Sequence, residues 1–408
     1  MPTVSMFDAS VAAHGFYVPQ FELRIAGAGL PKDVLRDVTE VNYHDKIDEI
    51  DTCELTVNNW DADRRAFKYI GAEDLDDMGN PKDPKNPAAA NWKIFDPCGK
   101  TVELYFGYPG QLERVMAGNF VTLEPNFPTT GPPVLQVRLL NQLHKLRSKK
   151  YDGAWHDKTD TEIVEAIANA RDPDLGNQKR FPIPIVTDPN AKKKEPRLFF
   201  VGQKSQYDID FLWTRARARG YVVCMFEDVD GPKLYFGPSL TAEDPVVYQL
   251  EWGRSLIDFK PTLTTANQYR SVTVRGWDRA AQKPIEEKVD FTDPELAKLN
   301  KNLHHLLEQC DPREEFVEEV AVFSKDEARK LARALLLDQH KRMVRAVGTT
   351  VGLPKLRAGS KIEFGKKSLG SRLSGTYFVT STTHTFNNNG YVTHFEARRE
   401  DIRSGAAS

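Results

Sequence analysis

The segment SGTYFVTSTTHTFNNNGYVTHFEARR, residues 374–399, decides the fold, because a degenerate copy of it occurs earlier in the chain. The copy is MAGNFVTLEPNFPTTGPPVLQVRLL, residues 116–140. Two copies of one β unit predict a duplicated module and not a single catalytic domain. Glycine and aromatic residues follow one another in the same order, with an offset of two residues between the halves: Gly118, Phe120, Phe127 and Gly131 in the first copy, and Gly375, Tyr377, Phe386 and Gly390 in the second.

A strand precedes each copy. TVELYFGY, residues 101–108, comes before the first, and KIEFGKK, residues 361–367, comes before the second. Tyr391 and Phe395 are four residues apart in a period-two element, so we expect them to share one face and to pack together. The aromatic residues of the repeat are therefore candidates for the barrel core or a subunit interface: Phe120, Phe127, Tyr377, Phe386, Tyr391 and Phe395.

Length and composition exclude several classes of protein. The 408 residues carry 56 Lys and Arg against 58 Asp and Glu, a net charge of −2, which lacks the excess basicity of a nucleic-acid-binding protein. The four cysteines form no CxxC pair, so neither a zinc site nor a disulfide framework is predicted. No stretch approaches the ~18 apolar residues of a membrane span. We expect a protein made in the cytoplasm that binds neither nucleic acid nor membrane.

The pattern along the chain predicts a β-rich α+β fold of two β-barrel domains with an inserted small α/β domain. Residues 1–140 read as the first barrel, in which FELRIA (residues 21–26) and CELTV (residues 53–57) alternate at period two, with a polar loop insertion near residues 69–91. Residues 141–244 read as the inserted domain. Residues 245–408 read as the second barrel with a long helix, and we expect the acidic stretch 286–319 to be mostly loop or short helix.

Capping residues predict the helices of the chain. Thr159 with Glu162 forms a capping box, and Ser205 with Asp208 resembles the same start for a second helix that ends at Gly220. Ser324 with Glu327 predicts a third helix, which we expect to run to about residue 347.

Two sequence motifs imitate known binding loops without completing them. CGKT, residues 98–101, resembles the end of a phosphate loop, but Ile94 stands where a glycine is required and a strand follows. Asp74, Asp76 and Gly79 resemble a calcium loop, but Met78 and Lys85 stand at ligand positions. Neither motif predicts a site.

Histidines and carboxylates are the remaining candidates for chemistry. His384, His394 and Glu396 could ligate a metal if they converged, but we interpret them as polar side chains on the solvated face of a hairpin. The consecutive His304 and His305 point to different sides of a helix. We therefore predict no catalytic residue, no metal and no cofactor, although a dispersed pair among the acidic residues stays open.

The order of these features resembles the late control gene D family, the hub proteins of contractile phage tails, which are related to the hub part of VgrG in type VI secretion. Three segments carry the resemblance: SQYDIDFLWTRARARGYVV with the return strand KLYFG (residues 205–237), SLIDFKPTLTTANQYRSVTVRGWD (residues 255–278) and YVTHFEAR (residues 391–398). The resemblance covers most of the chain, although each motif is short.

The resemblance implies a non-enzymatic homotrimer at the centre of a baseplate. Its two tube-like barrels per subunit would form a pseudo-sixfold ring that joins a three-fold central spike to a six-fold inner tail tube. The chain ends shortly after its last strand, so a separate spike protein is the expected partner, beside the inner tail tube protein and other baseplate proteins. After assembly in the cytoplasm, the protein would be part of a phage tail, a tailocin or an injection particle. The alternative is a tail-associated peptidoglycan hydrolase with a dispersed carboxylate pair.

Overall fold

The computed structural model of the protein describes residues 18–400, except for residues 79, 98, 229, 240–247, 254, 280, 295–305, 310–312, 319, 365–368 and 371–372. Strands dominate. In the first part they are β1 (Gln20–Ile25), β2 (Ala28–Gly29), β3 (Val38–Lys46), β4 (Thr52–Asn58), β5 (Trp60–Asp61), β6 (Ala66–Phe67), β7 (Thr101–Tyr108), β8 (Gln111–Asn126) and β9 (Val134–Asn141). In the middle they are β10 (Lys150–Lys158), β11 (Arg171–Asp172), β12 (Gln178–Lys179), β13 (Ile185–Thr187), β14 (Leu198–Tyr207), β15 (Tyr221–Asp228) and β16 (Gly231–Pro238).

The last part of the chain adds β17 (Tyr248–Leu250), β18 (Leu256–Leu263), β19 (Tyr269–Asp278), β20 (Lys283–Asp290), β21 (Arg313–Val317), β22 (Val344–Val351), β23 (Lys361–Phe364), β24 (Gly375–Asn387) and β25 (Gly390–Arg399). The helices are α1 (Lys32–Asp37), α2 (Asp160–Asn169), α3 (Pro189–Lys192), α4 (Asp208–Arg219) and α5 (Lys325–Lys341). The predicted β-rich α+β fold class is confirmed.

One five-stranded antiparallel arrangement occurs twice. The strand order is β3-β4-β9-β8-β7 in the first module and β18-β22-β25-β24-β23 in the second. We number the five strands of each module along the chain. In both modules their order across the sheet is first, second, fifth, fourth and third, and every neighbouring pair is antiparallel. Long insertions fall at different places, after the second strand of the first module and after the first strand of the second.

Two β-bulges lie at the same places in both modules. Thr39 is left out of the β3–β4 pairing, as Ile257 is left out of the β18–β22 pairing. Val121 is left out of the β8–β9 pairing, as Thr380 is left out of the β24–β25 pairing. Because a bulge shifts the register at one defined residue, these matches align the two modules residue by residue.

The alignment corrects half of the repeat predicted from the sequence. With Val121 matched to Thr380, Phe127 corresponds to Phe386, as predicted. In the earlier half, however, Gly118 corresponds to Tyr377 and not to Gly375. The offset of two residues in the sequence pattern reflects this misplaced register.

The described residues form four hydrophobic cores. The first fills the first module, and the second lies between Leu143 and Phe236 in the α/β insert. The third fills the second module, and the fourth joins β19 and β20 to α5.

The prediction that residues 286–319 are mostly loop or short helix is wrong at both ends, since β20 and β21 pair with β19 there. Lys and Glu alternate with Ile285 and Val289 in β20, so one buried face is enough to form a strand.

The predicted helix signals are partly confirmed. Thr159 and Glu162 form the capping box of α2, and Gly220 ends α4 with a φ of 66°. The predicted start at Ser205 is wrong, because Ser205 belongs to β14 and Tyr207 precedes α4 without a side-chain cap. The expected end of α5 near residue 347 is also wrong. Beyond Lys341 the burial alternates at period two, and β22 begins at Val344.

Candidate assembly interface

Strand β24 joins the two modules into one sheet. Its first residues pair with β23, and its residues 381–387 pair on the same side with β3, from Ser381 opposite Lys46 to Asn387 opposite Glu40. We call this β24–β3 contact the internal seam. The tip of the last hairpin therefore lies against the first module, although its sequence belongs to the second.

Aromatic rings cover the apolar side of the internal seam. The ring centroid of Phe386 is 4.8 Å from that of Phe21, and that of Tyr391 is 5.2 Å from that of Phe106. Tyr391 belongs to the first core, whereas Phe395 belongs to the third. Both side chains are buried on one face of β25, as expected, but the prediction that they pack together is wrong, because β25 runs from one module's core into the other's.

A buried ion pair ties the second module to the first. Arg357 Nε donates to Asp45 Oδ2 at 2.5 Å, and Arg357 Nη1 donates to the carbonyl of Val115 at 2.5 Å. Asp45 also accepts the Thr382 hydroxyl and, at 3.1 Å, the backbone N–H of Ala358. A buried carboxylate with this many donors is fully compensated only while both modules stay together.

A second carboxylate lies beside this pair. Asp51 is buried and accepts the Tyr43 hydroxyl at 3.3 Å, while Arg357 Nη2 is 3.8 Å away. Burial and the charge of Asp45 raise the pKa of Asp51 to about 7, because the single guanidinium is already engaged by Asp45. Burial also raises the pKa of Tyr43 far above its usual value. The raised pKa of Asp51 therefore depends on Asp45 and on the burial that the joined modules provide.

His384 lies in the seam, with 0% of its surface exposed. Its Nε2 is 3.0 Å from the carbonyl of Leu356 and its Nδ1 is 2.8 Å from the Tyr391 hydroxyl. Because a carbonyl only accepts, Nε2 donates to Leu356, and in the neutral ring Nδ1 accepts from the Tyr391 hydroxyl. Burial lowers the pKa of His384 to about 4. The prediction of a solvated His384 is wrong, since the internal seam covers that face of the hairpin.

His394 and Glu396 lie on the opposite, exposed face of β25. The predicted solvated position is correct for these two, and His394 Nδ1 is 2.8 Å from the Thr349 hydroxyl. The three residues do not converge. Within the described part of the chain, no group of three or more His, Cys, Asp or Glu could hold a metal ion.

The acidic loop that resembles a calcium site is held by internal contacts. Asp74 pairs with Lys82 at 2.9 Å, and Asp76 accepts the backbone N–H of Met78 and of Asn80. Five residues considered in the sequence lie outside the described residues: Gly79, Cys98, His304, His305 and Cys310.

The aromatic candidates of the repeat fall into two groups. Phe120, Tyr377, Tyr391 and Phe395 are buried, and Phe386 is partly buried against the first core. Phe127 is different, because it is 59% exposed. Among the aromatic rings of the described residues, its ring contacts only that of Phe67, in an edge-on geometry. Phe127 is thus no core residue, and a role at a subunit interface stays a prediction.

A cavity of about 740 Å³ opens where both modules meet the α/β insert. The charged side chains that line it are paired: Arg114 with Glu227 at 2.8 Å, and Lys355 with Glu113 at 3.0 Å. Burial raises the pKa of Glu227. The first pair fixes the insert against the first module, and the second pair joins the two modules. Arg357, which also lines the cavity, could not be singled out from the sequence, because its partners are distant along the chain.

Known structures share this fold. The tail protein from Neisseria meningitidis MC58 is 12% identical, with a TM-score of 0.63 over 95% of this chain and 98% of that chain. The 43 kDa tail protein of prophage MuSo2 from Shewanella oneidensis is 13% identical, with a TM-score of 0.58 over 93% and 98%. The E. coli c3393 protein, a type VI secretion component with structural similarity to the T4 tail proteins gp27 and gp5, is 12% identical, with a TM-score of 0.51 over 95% and 79%.

At these identities the likeness concerns the fold alone, so the resemblance to the late control gene D family stays a prediction. Among the described residues, no helix has the length and apolar character needed to span a membrane. No curated protein matches the chain. The family model described as the Alg8 N-terminal domain matches residues 79–388, more than half of the 408 residues, and the chain belongs to that family.

Proposed function

We propose that the protein is a structural baseplate hub of a contractile tail or contractile injection system. The observation that carries the proposal is the duplicated module: one strand order and two bulges at matching positions, twice in one chain. The shared fold with tail proteins from a bacterium and a prophage supports the same reading.

The duplication suits a change of symmetry. Three chains with two equivalent modules each place six near-equivalent units around one axis, so one homotrimer offers three-fold contacts to a spike and six-fold contacts to a tube. Its partners are a separate central spike protein, the inner tail tube protein and other baseplate proteins. The protein acts in a tail or injection particle, which it joins after its synthesis in the cytoplasm.

The role is structural and not enzymatic. The charged groups of the cavity between the modules pair with one another, which suits a rigid joint. A zymogram with peptidoglycan in the gel separates this proposal from a tail hydrolase. We expect no cleared band for the purified full-length chain, and a band that disappears on replacement of one Asp or Glu would favour the hydrolase.

The mass of the assembled complex tests the symmetry. Native mass spectrometry of the chain mixed with the spike protein of its own particle should give three copies of the chain per complex. Two or six copies would contradict the adaptor.

A further inference from the structure

Each module has the strand edges that form the internal seam, but only one pair of them is joined within the chain. Beyond its pairing with β23, the same edge of β24 pairs with β3. The counterpart of β24 is β8, which β7 accompanies only up to Asn119. The counterpart of β3 is β18, the end of the sheet path. In the described structure no strand covers β8 after Asn119 on that side, or the outer side of β18 over residues 258–263.

We propose that these two edges join one copy of this chain to the next. We call residues 122–127 the tip edge and residues 258–263 the β18 edge. The proposal rests on the proposed function in one respect only, that the ring closes at three copies.

The internal seam fixes the register of the contact between copies. Thr382 is opposite Asp45 and Phe386 is opposite Val41. The bulges match these four residues to Leu123, Leu263, Phe127 and Phe259 in the same order. Leu123 of one copy is therefore opposite Leu263 of the next, and Phe127 is opposite Phe259.

Backbone hydrogen bonds show which groups the two edges present. The N–H of Thr264 donates to the carbonyl of Met343, so the backbone groups of alternate residues of β18 point to β22. The backbone groups of the residues between them, Phe259, Pro261 and Leu263, point to the open side, while the side chains of Phe259 and Leu263 rest partly on the third core. The N–H of Asn141 donates to the carbonyl of Asp51. The backbone groups of odd-numbered β9 residues therefore bond to β4, and those of even-numbered residues bond to β8. Since Thr122, Glu124 and Asn126 are opposite even-numbered β9 residues, the backbone groups of Leu123 and Pro125 point to the open side of β8.

The free edges carry apolar side chains at the positions of Thr382 and His384 in the internal seam, and Phe127 opposite Phe259 stands where the seam has Phe386 opposite Val41. Thr382 and His384 are buried in the internal seam against Asp45 and Tyr43. The free edges instead carry Leu123, Pro125 and Phe127 on one side, and Leu263, Pro261 and Phe259 on the other, all exposed or half-buried. Apolar rows that face each other across a strand pair favour association. Phe127 has the place that Phe386 fills against the first core.

Two prolines make the contact selective. Pro125 and Pro261 face each other in the derived register, and neither has an N–H to donate. The central pair of the ladder between copies therefore lacks both backbone hydrogen bonds, and the apolar rows must hold the contact. Prolines on open edges also hinder unspecific strand addition, which protects the free chain from aggregation.

Disulfide trapping tests the register. Glu124 and Thr262 are exposed, and the register places them directly opposite each other in a pair without backbone hydrogen bonds, where Cβ atoms are closest. We expect the full-length double variant Glu124→Cys/Thr262→Cys, oxidised with copper phenanthroline, to give covalent species on non-reducing gels that end at the trimer. The matched control is Glu124→Cys/Glu396→Cys, whose second position is exposed but two strands away.

The outcomes separate the two proposals. Cross-links that end at the trimer support both. Cross-links that extend beyond the trimer support the edges and contradict the three-copy ring. Cross-linking no stronger than in the control overturns the edge proposal, because oxidation traps even short-lived encounters; a trimer mass beside that result would leave the proposed function intact.

A substitution of Phe127 tests the apolar rows without affecting the core. Phe127→Asp, placed in the double variant, should lower the cross-link yield at least ~10-fold while leaving the circular dichroism spectrum unchanged. Met78→Asp, at an 87% exposed residue outside both edges, should leave the yield unchanged. An unchanged yield with Phe127→Asp would overturn the role of the rows.

Discussion

Arg357 Nε lies 2.5 Å from Asp45 Oδ2, although 312 positions separate the two residues along the chain. Asp45 is buried and the Arg357 side chain is only 13% exposed. The pair connects the loop before β23 with β3, so it is intact only when the modules are joined.

Replacement of Arg357 should destabilise the whole fold. Arg357→Met leaves Asp45 and Asp51 buried without a cation, and loss of one partner of a buried ion pair costs about 3–5 kcal/mol. Chemical denaturation at neutral pH measures this. Arg138→Met is the control, because its pair with Glu54 is more than half exposed and is worth at most about 1 kcal/mol. Equal losses for both variants would show that the cluster does not hold the modules.

Replacement of Phe395 should cost far more than replacement of its neighbour. The Phe395 ring is 2% exposed and covers Gly348, where even a Cβ would come within 2.6 Å of the ring. Phe395→Ala should cost about 3–5 kcal/mol. Glu396→Ala, on the exposed face, should change the thermal midpoint little. Similar thermal shifts would show that the faces of β25 are wrongly assigned.

Acid should weaken the fold through His384. Its pKa falls from 6.5 to about 4 on folding, so the unfolded chain binds the proton first and stability is lost as the pH falls from about 6.5 to about 4. The full effect is about 3 kcal/mol. His384→Gln should remove this slope in urea denaturation series across that range. A slope that persists unchanged in the variant would contradict a neutral, buried ring.

Asp51 should act in the opposite direction. Its pKa is raised from 3.8 to about 7 on folding, so the folded chain binds the proton and stability is lost as the pH rises through that interval. Asp51→Asn, which mimics the protonated carboxyl, should be more stable than the wild-type protein at pH 8 and should lack this slope. A variant that is less stable at pH 8 would show that Asp51 is held as a carboxylate.

Local signals in the sequence predicted what local contacts decide. The Thr159 capping box and the αL turn at Gly220 depend on residues within one helical turn, and both were found. The repeat was found because glycine and aromatic residues mark its turns. Its register was half wrong, since the bulge at Thr380 is visible only in the pairing of strands.

Contacts distant in sequence limited the rest. His384 was predicted to be solvated because the hairpin alone leaves that face open, and β3 covers it only in the fold. Asp45 and Arg357 gave no signal for the same reason. Strand β21 has no clear signal in the sequence, because its charged residues obscure a parallel pairing with β19.

The central claim is that two equivalent modules per chain convert three-fold into six-fold symmetry. A cryo-electron microscopy reconstruction of the assembled particle tests it most directly. It should show three copies around the channel, with the two modules of each copy superimposable and alternating around the ring. Six copies, or two modules that do not superimpose, would contradict the account.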